Sequence, residues 1–247
     1  MELTFRCNLR CAHCYVNTRR DDRRARREEL TAVEIRRIAG EAADLGCLTL
    51  LLTGGEPLLR ADLPDIYRHL KSQGFLVALF TNGTLVTERF ADLLADRPPL
   101  VVEITLYGAT TEVYERVTGV PGSHRRCLRG IELLLDRKIQ VRLKTVPLTI
   151  NVSEMDAMRA LADAYGVDFH WDPLVNCRLD GSLAPRQVRL RPEQIVDLER
   201  REPKRIREYR ENLAKKERVA DGAELFDCNA YRHSFHIDPY GLLSRAC

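Results

Sequence analysis

The amino-acid sequence predicts an α/β fold built around a parallel β-sheet. Along residues 48–174, short apolar runs alternate with amphipathic stretches, which is the pattern of repeated strand–helix units. The chain has 247 residues, a length that single α/β domains commonly reach. Right-handed crossovers between such units give either a partial barrel or an open doubly wound sheet. The pattern alone leaves both architectures open.

Six strands are expected, each a short apolar run bounded by polar or turn-forming residues. The first, at residues 3–5, is very short. The other five cover residues 48–52, 76–80, 100–106, 141–146 and 167–174. Ligands of parallel α/β sheets gather beyond the carboxyl ends of the strands. We therefore look for functional side chains directly after each run.

Helices are expected between the strands. Thr31 and Glu34 have the spacing of a capping box, apolar residues then recur at helical intervals as far as Leu45, and Gly46 ends the pattern. Further helical periodicity covers residues 63–70, 88–94, 127–135 and 154–164. The charged segment 19–29 has no apolar periodicity and is expected to be an exposed loop.

The pattern changes after Pro185. Residues 192–218 are dense in Arg, Lys and Glu, as expected of solvated helices. We place a core barrel or sheet domain at residues 1–185, and a second segment at residues 186–247.

Composition excludes several classes of protein. Hydrophobic residues make up 45% and charged residues 30%, and no apolar run approaches the roughly 18 residues of a membrane span. A net charge of +3, with arginines interleaved among acids, does not indicate a nucleic-acid partner. The N-terminus lacks a secretory signal, so we expect a cytoplasmic protein whose eight cysteines stay reduced. Clustered cysteines in that setting indicate a metal site.

Three cysteines lie close to the N-terminus, in the run Cys-Asn-Leu-Arg-Cys-Ala-His-Cys-Tyr. Cys7, Cys11 and Cys14 offer three thiolates, which can hold a 4Fe-4S cluster while one iron stays open. The alternative is a zinc site with His13 as fourth ligand. That histidine would have to fold back onto its own loop, so a cluster is the favoured interpretation.

A second motif, Thr53-Gly54-Gly55-Glu56-Pro57, follows the second predicted strand. Two glycines remove Cβ atoms so that a ligand can approach the backbone, and Glu56 can accept hydrogen bonds from an ammonium group. Taken alone, such a turn between strand and helix is common architecture.

In combination, the cysteine loop after a first strand and Gly-Gly-Glu-Pro after the second resemble the radical S-adenosylmethionine (SAM) superfamily. Residues 3–15, 81–83, 104–108 and 118–124 are similar to the branch that carries a C-terminal SPASM domain. Members of that branch largely modify peptides or proteins. The resemblance extends from residue 3 to residue 247 and implies a partial (β/α)6 barrel, an incomplete TIM barrel.

The resemblance also implies the roles of individual residues. Cys7, Cys11 and Cys14 match the cluster ligands, and SAM is expected on the open iron. The motif that holds the SAM amino group is matched by Gly54, Gly55, Glu56 and Pro57. Tyr15 falls where an aromatic residue flanks the adenine. Looser matches to contacts with ribose, carboxylate and adenine are Thr81, Asn82, Thr105 and Lys144.

The implied chemistry belongs to the cofactors. An external electron donor of the flavodoxin or ferredoxin type reduces the cluster, SAM is cleaved to a 5′-deoxyadenosyl radical, and the radical abstracts hydrogen from a peptide or protein substrate. One alternative within the superfamily is an enzyme of cofactor or tetrapyrrole synthesis. The alternative outside it is a non-catalytic zinc or iron-sulfur binding module.

The tail resembles the opening of a SPASM domain. Cys228 and Cys247 flank a predicted hairpin at residues 234–241 and would begin to ligate an auxiliary 4Fe-4S cluster. A full domain needs further cysteines, so we expect the chain to be truncated relative to a longer protein.

Elsewhere, Cys47 and Cys127 are expected to pack as small hydrophobic residues. His170 and Asp172 lie at the end of the last predicted strand and Cys177 lies just beyond it, and all three are candidates for positions near a substrate.

Overall fold

The computed structural model describes residues 1–16, 18–217 and 234–245. Its central sheet contains five parallel strands that lie in the order in which they occur in the chain. A separate pair, β1 (Arg6–Cys7) and β2 (Thr18–Arg19), precedes them. The strands of the sheet are β3 (Thr49–Leu52), β4 (Leu76–Thr81), β5 (Val101–Thr105), β6 (Val141–Thr145) and β7 (Asp168–Trp171).

The N-terminus adds a sixth unit to this sheet. Glu2 forms a parallel bridge with Thr53, and the Leu3 N–H donates to the Thr53 carbonyl at 2.8 Å. The prediction of a strand at residues 3–5 is wrong in its extent, because the chain leaves the sheet after Leu3 to form β1. A doubly wound sheet would reverse its strand order at a switch point. The order observed has no reversal, which confirms the partial barrel.

Nine helices lie in the described ranges and are numbered in chain order. They are α1 (Arg23–Glu28), α2 (Ala32–Asp44), α3 (Leu63–Ser72), α4 (Glu88–Asp96), α5 (Thr111–Thr118), α6 (Ser123–Leu135), α7 (Met155–Tyr165), α8 (Pro192–Arg200) and α9 (Pro203–Glu217). The predicted capping box is confirmed, since the Glu34 N–H donates to Thr31 Oγ1 and the Thr31 N–H donates to Glu34 Oε2. None of these helices combines the length and the apolar composition that crossing a membrane requires.

Two helices contradict or extend the sequence prediction. Segment 19–29 is not a loop, because Asp22 caps α1 by accepting from the Ala25 N–H at 2.9 Å. Its one turn and a half buries only Ala25, which is too little to give a periodic pattern. Helix α5 was not predicted, although Thr110 caps its start and Gly119, with φ of 65°, ends it.

The two faces of the sheet differ in chemistry. Apolar side chains on one face join the hydrophobic core, as the core residues Val77, Leu79, Val102, Ile104 and Leu143 illustrate. Because side chains alternate along a strand, the residues between them face the other way. That second face carries Phe80, Glu103, Lys144 and His170, which line a cavity.

A C-terminal hairpin packs against the N-terminal segment. Strands β8 (Phe235–Ile237) and β9 (Leu243–Arg245) pair antiparallel, so a hairpin in the predicted region is confirmed. The Glu2 N–H donates to the Ile237 carbonyl at 2.8 Å, and the Phe5 and Tyr240 rings meet edge to face. Cys228 and Cys247 lie outside the described residues. The division at residue 185 stays a prediction.

Candidate cofactor and substrate site

The cysteine loop leaves β1 at Cys7 and is tied to the end of α5. The Arg10 N–H donates to the Thr118 carbonyl at 2.8 Å, and the Ala12 N–H donates to the Val117 carbonyl at 2.9 Å. Carbonyls in the last turn of a helix lack partners within it, and here the loop supplies them. The backbone of the loop is therefore fixed by α5, a helix from the other half of the barrel.

Cys7, Cys11 and Cys14 are all partly buried free thiols. Burial raises the pKa of Cys7 to about 12, and burial followed by the charge of the neighbouring thiols raises the pKa of Cys11. Burial also raises the pKa of Cys14. A metal centre bound here would have to displace the thiol protons. Three thiols on one loop are a donor set that fits an iron-sulfur cluster.

The zinc alternative depends on His13. Its ring lies 4.9 Å from the Tyr107 ring, burial lowers its pKa to about 4, and its Nδ1 atom has no hydrogen-bond partner among the described residues. Within those residues, no three Cys, His, Asp or Glu side chains converge on a point that a single metal ion could occupy.

Gly54 and Gly55 bring the second motif against the segment that leads to Cys7. The Gly55 N–H donates to the Thr4 carbonyl at 2.6 Å, and the Glu56 N–H donates to the Arg6 carbonyl at 2.9 Å. A Cβ atom on Gly55 would lie 2.5 Å from the Phe5 carbonyl oxygen, and one on Gly54 would overlap the Thr4 carbonyl. The close approach that requires glycine here is to the chain's own backbone.

Glu56 is fully buried and links the motif to the end of β4. Its carboxylate accepts from Thr81 Oγ1 at 2.8 Å, from the Asn82 N–H at 2.8 Å and from the Leu58 N–H at 3.0 Å. Burial raises the pKa of Glu56 to about 7. Asn82 Nδ2 in turn donates to Asn8 Oδ1 at 2.9 Å. The network therefore joins both predicted motifs to Thr81 and Asn82, as their positions at strand ends suggested.

The other predicted SAM contacts have protein partners. Thr105 forms a side-chain hydrogen bond with Tyr107, beside the cysteine loop. Tyr15 is half exposed, and its hydroxyl donates to Glu2 Oε1 at 2.6 Å. Lys144 lies deeper, with Nζ 2.8 Å from Glu103 Oε1 and 3.6 Å from the centre of the Phe80 ring.

Glu103 is a site residue that the sequence interpretation missed. It is buried. Besides its contact with Lys144, its carboxylate lies 3.5 Å from His170 Nε2 and 3.9 Å from Arg142 Nη1. Burial lowers the pKa of His170. A buried carboxylate needs charged or hydrogen-bonded partners, and Lys144 is the nearest cation. The signal was present as an acid inside the apolar run Val-Val-Glu-Ile-Thr, since Glu is rarely fully buried without a partner.

Glu103, Lys144 and His170 line a cavity of about 1390 Å³. Helices α8 and α9 form the opposite wall. The lining consists of Phe80, Glu103, Lys144, His170, Trp171, Asp172, Pro173, Leu174, Val175, Arg189, Leu190, Pro192, Ile195, Val196, Glu199, Arg200, Arg205, Ile206 and Arg210. His170 and Asp172, predicted near a substrate, belong to it, whereas Cys177 is exposed and does not line it.

The other cysteines differ in their surroundings. Cys127 is fully buried in the core, as predicted for a small hydrophobic residue. Cys47 is only partly buried, although it packs against the core and its thiol donates to the Thr49 carbonyl at 3.4 Å.

Residues 1–164 match the Radical SAM superfamily. The chain belongs to this superfamily. Its members are enzymes, and membership implies a 4Fe-4S cluster and SAM. The family assignment confirms the expected cofactor pair, while the residues that hold it stay a prediction.

Relatives within the superfamily carry different names. The chain is 34% identical over 170 residues to an AdoMet-dependent heme synthase of Methanosarcina barkeri, covering 68% of this chain and 48% of that protein. It is 33% identical to a PqqA peptide cyclase of Rhizobium meliloti, over 65% of this chain and 42% of that protein. The chain thus spans about half or less of the length of these curated relatives.

A solved structure shares the fold. Streptococcus suis SuiB bound to the precursor peptide SuiA aligns with a TM-score of 0.60 at 19% identity, over 69% of this chain and 37% of SuiB. At this identity the likeness supports the partial barrel and nothing finer.

Proposed function

We propose that this chain is the core of a radical SAM enzyme that modifies a ribosomal peptide or protein by hydrogen abstraction. The observation that carries the proposal is the cavity on the sheet face that carries Glu103 and Lys144. Its volume of about 1390 Å³ exceeds the roughly 300–1,000 Å³ of small-molecule pockets. A peptide segment fits such a space better than a single metabolite does.

In this proposal the residues of the N-terminal half hold the cofactors. Cys7, Cys11 and Cys14 would ligate the cluster, and the buried Glu56 network would fix the strand ends around SAM. When bound, the pair supplies one-electron cleavage of SAM as the source of the hydrogen-abstracting radical. The protein's part is to orient substrate and cofactor and to keep water from the site. Tyr15, Gly54, Gly55, Pro57, Thr81, Asn82, Thr105 and Lys144 complete the proposed SAM site.

The chemistry of the cavity wall supports a peptide. Apolar side chains such as Trp171 and Ile195 alternate with both acids and bases, including Glu103, Glu199 and Arg189. A peptide offers apolar groups together with charges of both signs, so each kind of lining residue has a counterpart. Strand β7 is also the terminal strand of the described sheet, and such an edge can pair with an extended chain.

Two of the comparisons are in line with this substrate class. One relative is named a peptide cyclase, and the SuiB structure contains a precursor peptide. We further propose a reducing, cytoplasmic setting with a flavodoxin-type or ferredoxin-type donor, and a SPASM-like auxiliary cluster begun by Cys228 and Cys247.

A second candidate is tetrapyrrole chemistry. The heme synthase relative has nearly the same identity as the peptide cyclase. A broad cavity with several arginines would also accept a flat apolar ring with acidic side chains. The two candidates share their cofactors and differ only in substrate.

Label transfer tests the proposal. The chain is reconstituted with iron and sulfide without oxygen, reduced with dithionite, and given SAM with either a deuterated peptide or deuterated iron coproporphyrin III. Short open reading frames found next to this gene supply the peptide sequences to be tested. Deuterium from the peptide in 5′-deoxyadenosine is the expected result. Transfer from the porphyrin alone, or none from the peptide, would contradict it.

A further inference from the structure

A line of hydrogen bonds connects the C-terminal hairpin to the cysteine loop. His236 Nε2 lies 3.0 Å from Glu2 Oε2, and the Tyr15 hydroxyl donates to Glu2 Oε1 at 2.6 Å. Tyr15 immediately follows Cys14 in the chain. A residue of the hairpin and a residue beside a predicted cluster ligand thus share one carboxylate, although 221 positions separate them, from 15 to 236.

Both the backbone and the side chain of Glu2 are held by contacts with other residues. Its side chain is 6% exposed, its N–H donates to the Ile237 carbonyl, and it bridges to Thr53, directly before the Gly-Gly motif. A buried carboxylate is costly unless its oxygens are hydrogen-bonded. Here one oxygen is satisfied by Tyr15 and the other by His236.

The histidine is oriented from its far side. His236 Nδ1 lies 2.9 Å from Ser244 Oγ, on the neighbouring strand of the hairpin. This contact fixes the plane of the ring and leaves Nε2 aimed at Glu2. The hairpin is further docked by the Leu30 N–H, which donates to the Pro239 carbonyl at 2.7 Å.

Tyr15 has two anchors. Its carbonyl accepts from the Leu179 N–H at 3.0 Å, and its hydroxyl is held by Glu2. A tyrosine side chain has only two torsion angles, so fixing its hydroxyl fixes the plane of its ring. The half-exposed ring therefore has a defined orientation beside Cys14 although it is not packed into the core.

We infer that Glu2 and His236 are positioning residues of the cofactor site, through which the docked hairpin orders Tyr15 and the end of the cysteine loop. The hairpin is then part of the machinery that shapes the cluster environment, whichever substrate the enzyme takes. This inference depends on family membership and not on the proposed peptide substrate. It goes beyond that proposal by giving the hairpin a role in the core.

The test uses the full 247-residue chain with its cluster reconstituted, in five forms besides the parent. Tyr15→Phe and His236→Ala each break one end of the line, and their double variant breaks both. His236→Gln keeps an amide that can donate to Glu2. Leu243→Ala, at a 66% exposed position of the same hairpin, is the control.

Three properties are measured on each form: the SAM dissociation constant, the electron paramagnetic resonance spectrum of the reduced cluster, and hydrogen exchange of residues 11–16. We expect His236→Ala and Tyr15→Phe each to weaken SAM binding by about tenfold, the effect of losing one hydrogen bond to a charged group. Exchange of the loop should quicken and the spectrum should broaden. The Gln variant should restore much of the parent behaviour.

The double variant shows whether Tyr15 and His236 act through the same carboxylate. If the two residues act through Glu2, the double variant should be little worse than either single one. Fully additive effects would overturn the inference, as would a Leu243→Ala variant that loosens the loop as much as His236→Ala does. A faster exchange confined to the hairpin would also overturn it. Should His236→Ala fail to fold, Tyr15→Phe and His236→Gln carry the same comparison.

Discussion

Two regions of the molecule are built in different ways. We call the cysteine loop with residues 53–57 the cofactor end, and the cavity around Glu103 the cavity end. At the cofactor end, backbone groups do most of the positioning, as in the bond from the Gly55 N–H to the Thr4 carbonyl and the loop anchored on α5. At the cavity end, the contacts are between side chains of separate elements, with Glu103 between Lys144 and His170. We therefore expect substitutions at the first end to abolish function and substitutions at the second to tune it.

The largest effect is expected at the cysteine loop. Cys11→Ala removes one of the three proposed cluster ligands. Iron-sulfur clusters are held in place by their cysteine thiolates, so losing one should prevent stable binding. Iron content and SAM cleavage should fall to background. The matched control is Cys177→Ala, because that cysteine is free and exposed outside the loop. Iron analysis of both variants checks the comparison, and a Cys11→Ala protein that keeps its cluster would break it.

The next largest effect tests the backbone contact. Gly55→Ala would drive a Cβ atom to 2.5 Å from the Phe5 carbonyl oxygen. We expect a loss of at least about 2 kcal/mol in unfolding free energy, together with weaker SAM binding. Gly40→Ala has nothing within 4 Å and lies inside α2, so it should stabilise by about 0.5–1 kcal/mol. Urea unfolding measures both, and equal signs would contradict the account.

The same contrast explains what the sequence could reveal. The two motifs of the cofactor end could be found in the sequence because each is contiguous and lies at a strand end, as Cys7 and Gly54 do. The parallel strands β3 to β7 were predictable because buried strands appear in the sequence as short apolar runs. Segment 19–29 was misjudged because α1 buries a single alanine, and burial is what produces a visible period.

The sequence could not predict contacts between side chains that are far apart in the chain. Glu103, Lys144 and His170 come from three strands, and their meeting depends on register, which pairs Glu103 with Arg142 and Lys144 with His170. One residue of slip would turn them to the other face of the sheet. The contact of Glu2 with His236 likewise depends on hairpin docking that no local pattern encodes.

A third prediction separates two roles of Lys144. Lys144→Met keeps the stem over Phe80 but leaves Glu103 with its more distant partners, at a cost of about 2 kcal/mol in stability. If Lys144 serves the cavity, substrate turnover should fall about tenfold while SAM affinity stays unchanged. Arg142→Met, whose nitrogen is 3.9 Å from Glu103, should do less. A fall in SAM affinity would assign Lys144 to the cofactor end instead.

The smallest effect is expected at the cavity mouth. Leu174 lines the cavity and is 66% exposed, so Leu174→Ala should leave stability within about 0.5 kcal/mol of the parent. The Michaelis constant for the substrate should rise about threefold, from the lost apolar contact. Leu179 is 64% exposed and lies outside the lining, so steady-state kinetics of Leu179→Ala should show no change.

We propose that Cys7, Cys11 and Cys14 hold a 4Fe-4S cluster with one iron available to SAM. Electron paramagnetic resonance of the reconstituted, dithionite-reduced chain, recorded with and without SAM, tests it most directly. We expect the signal of a reduced 4Fe-4S cluster. The signal should change when SAM is added and should be lost in Cys11→Ala. A colourless protein holding one zinc ion, or a cluster signal indifferent to SAM, would contradict it.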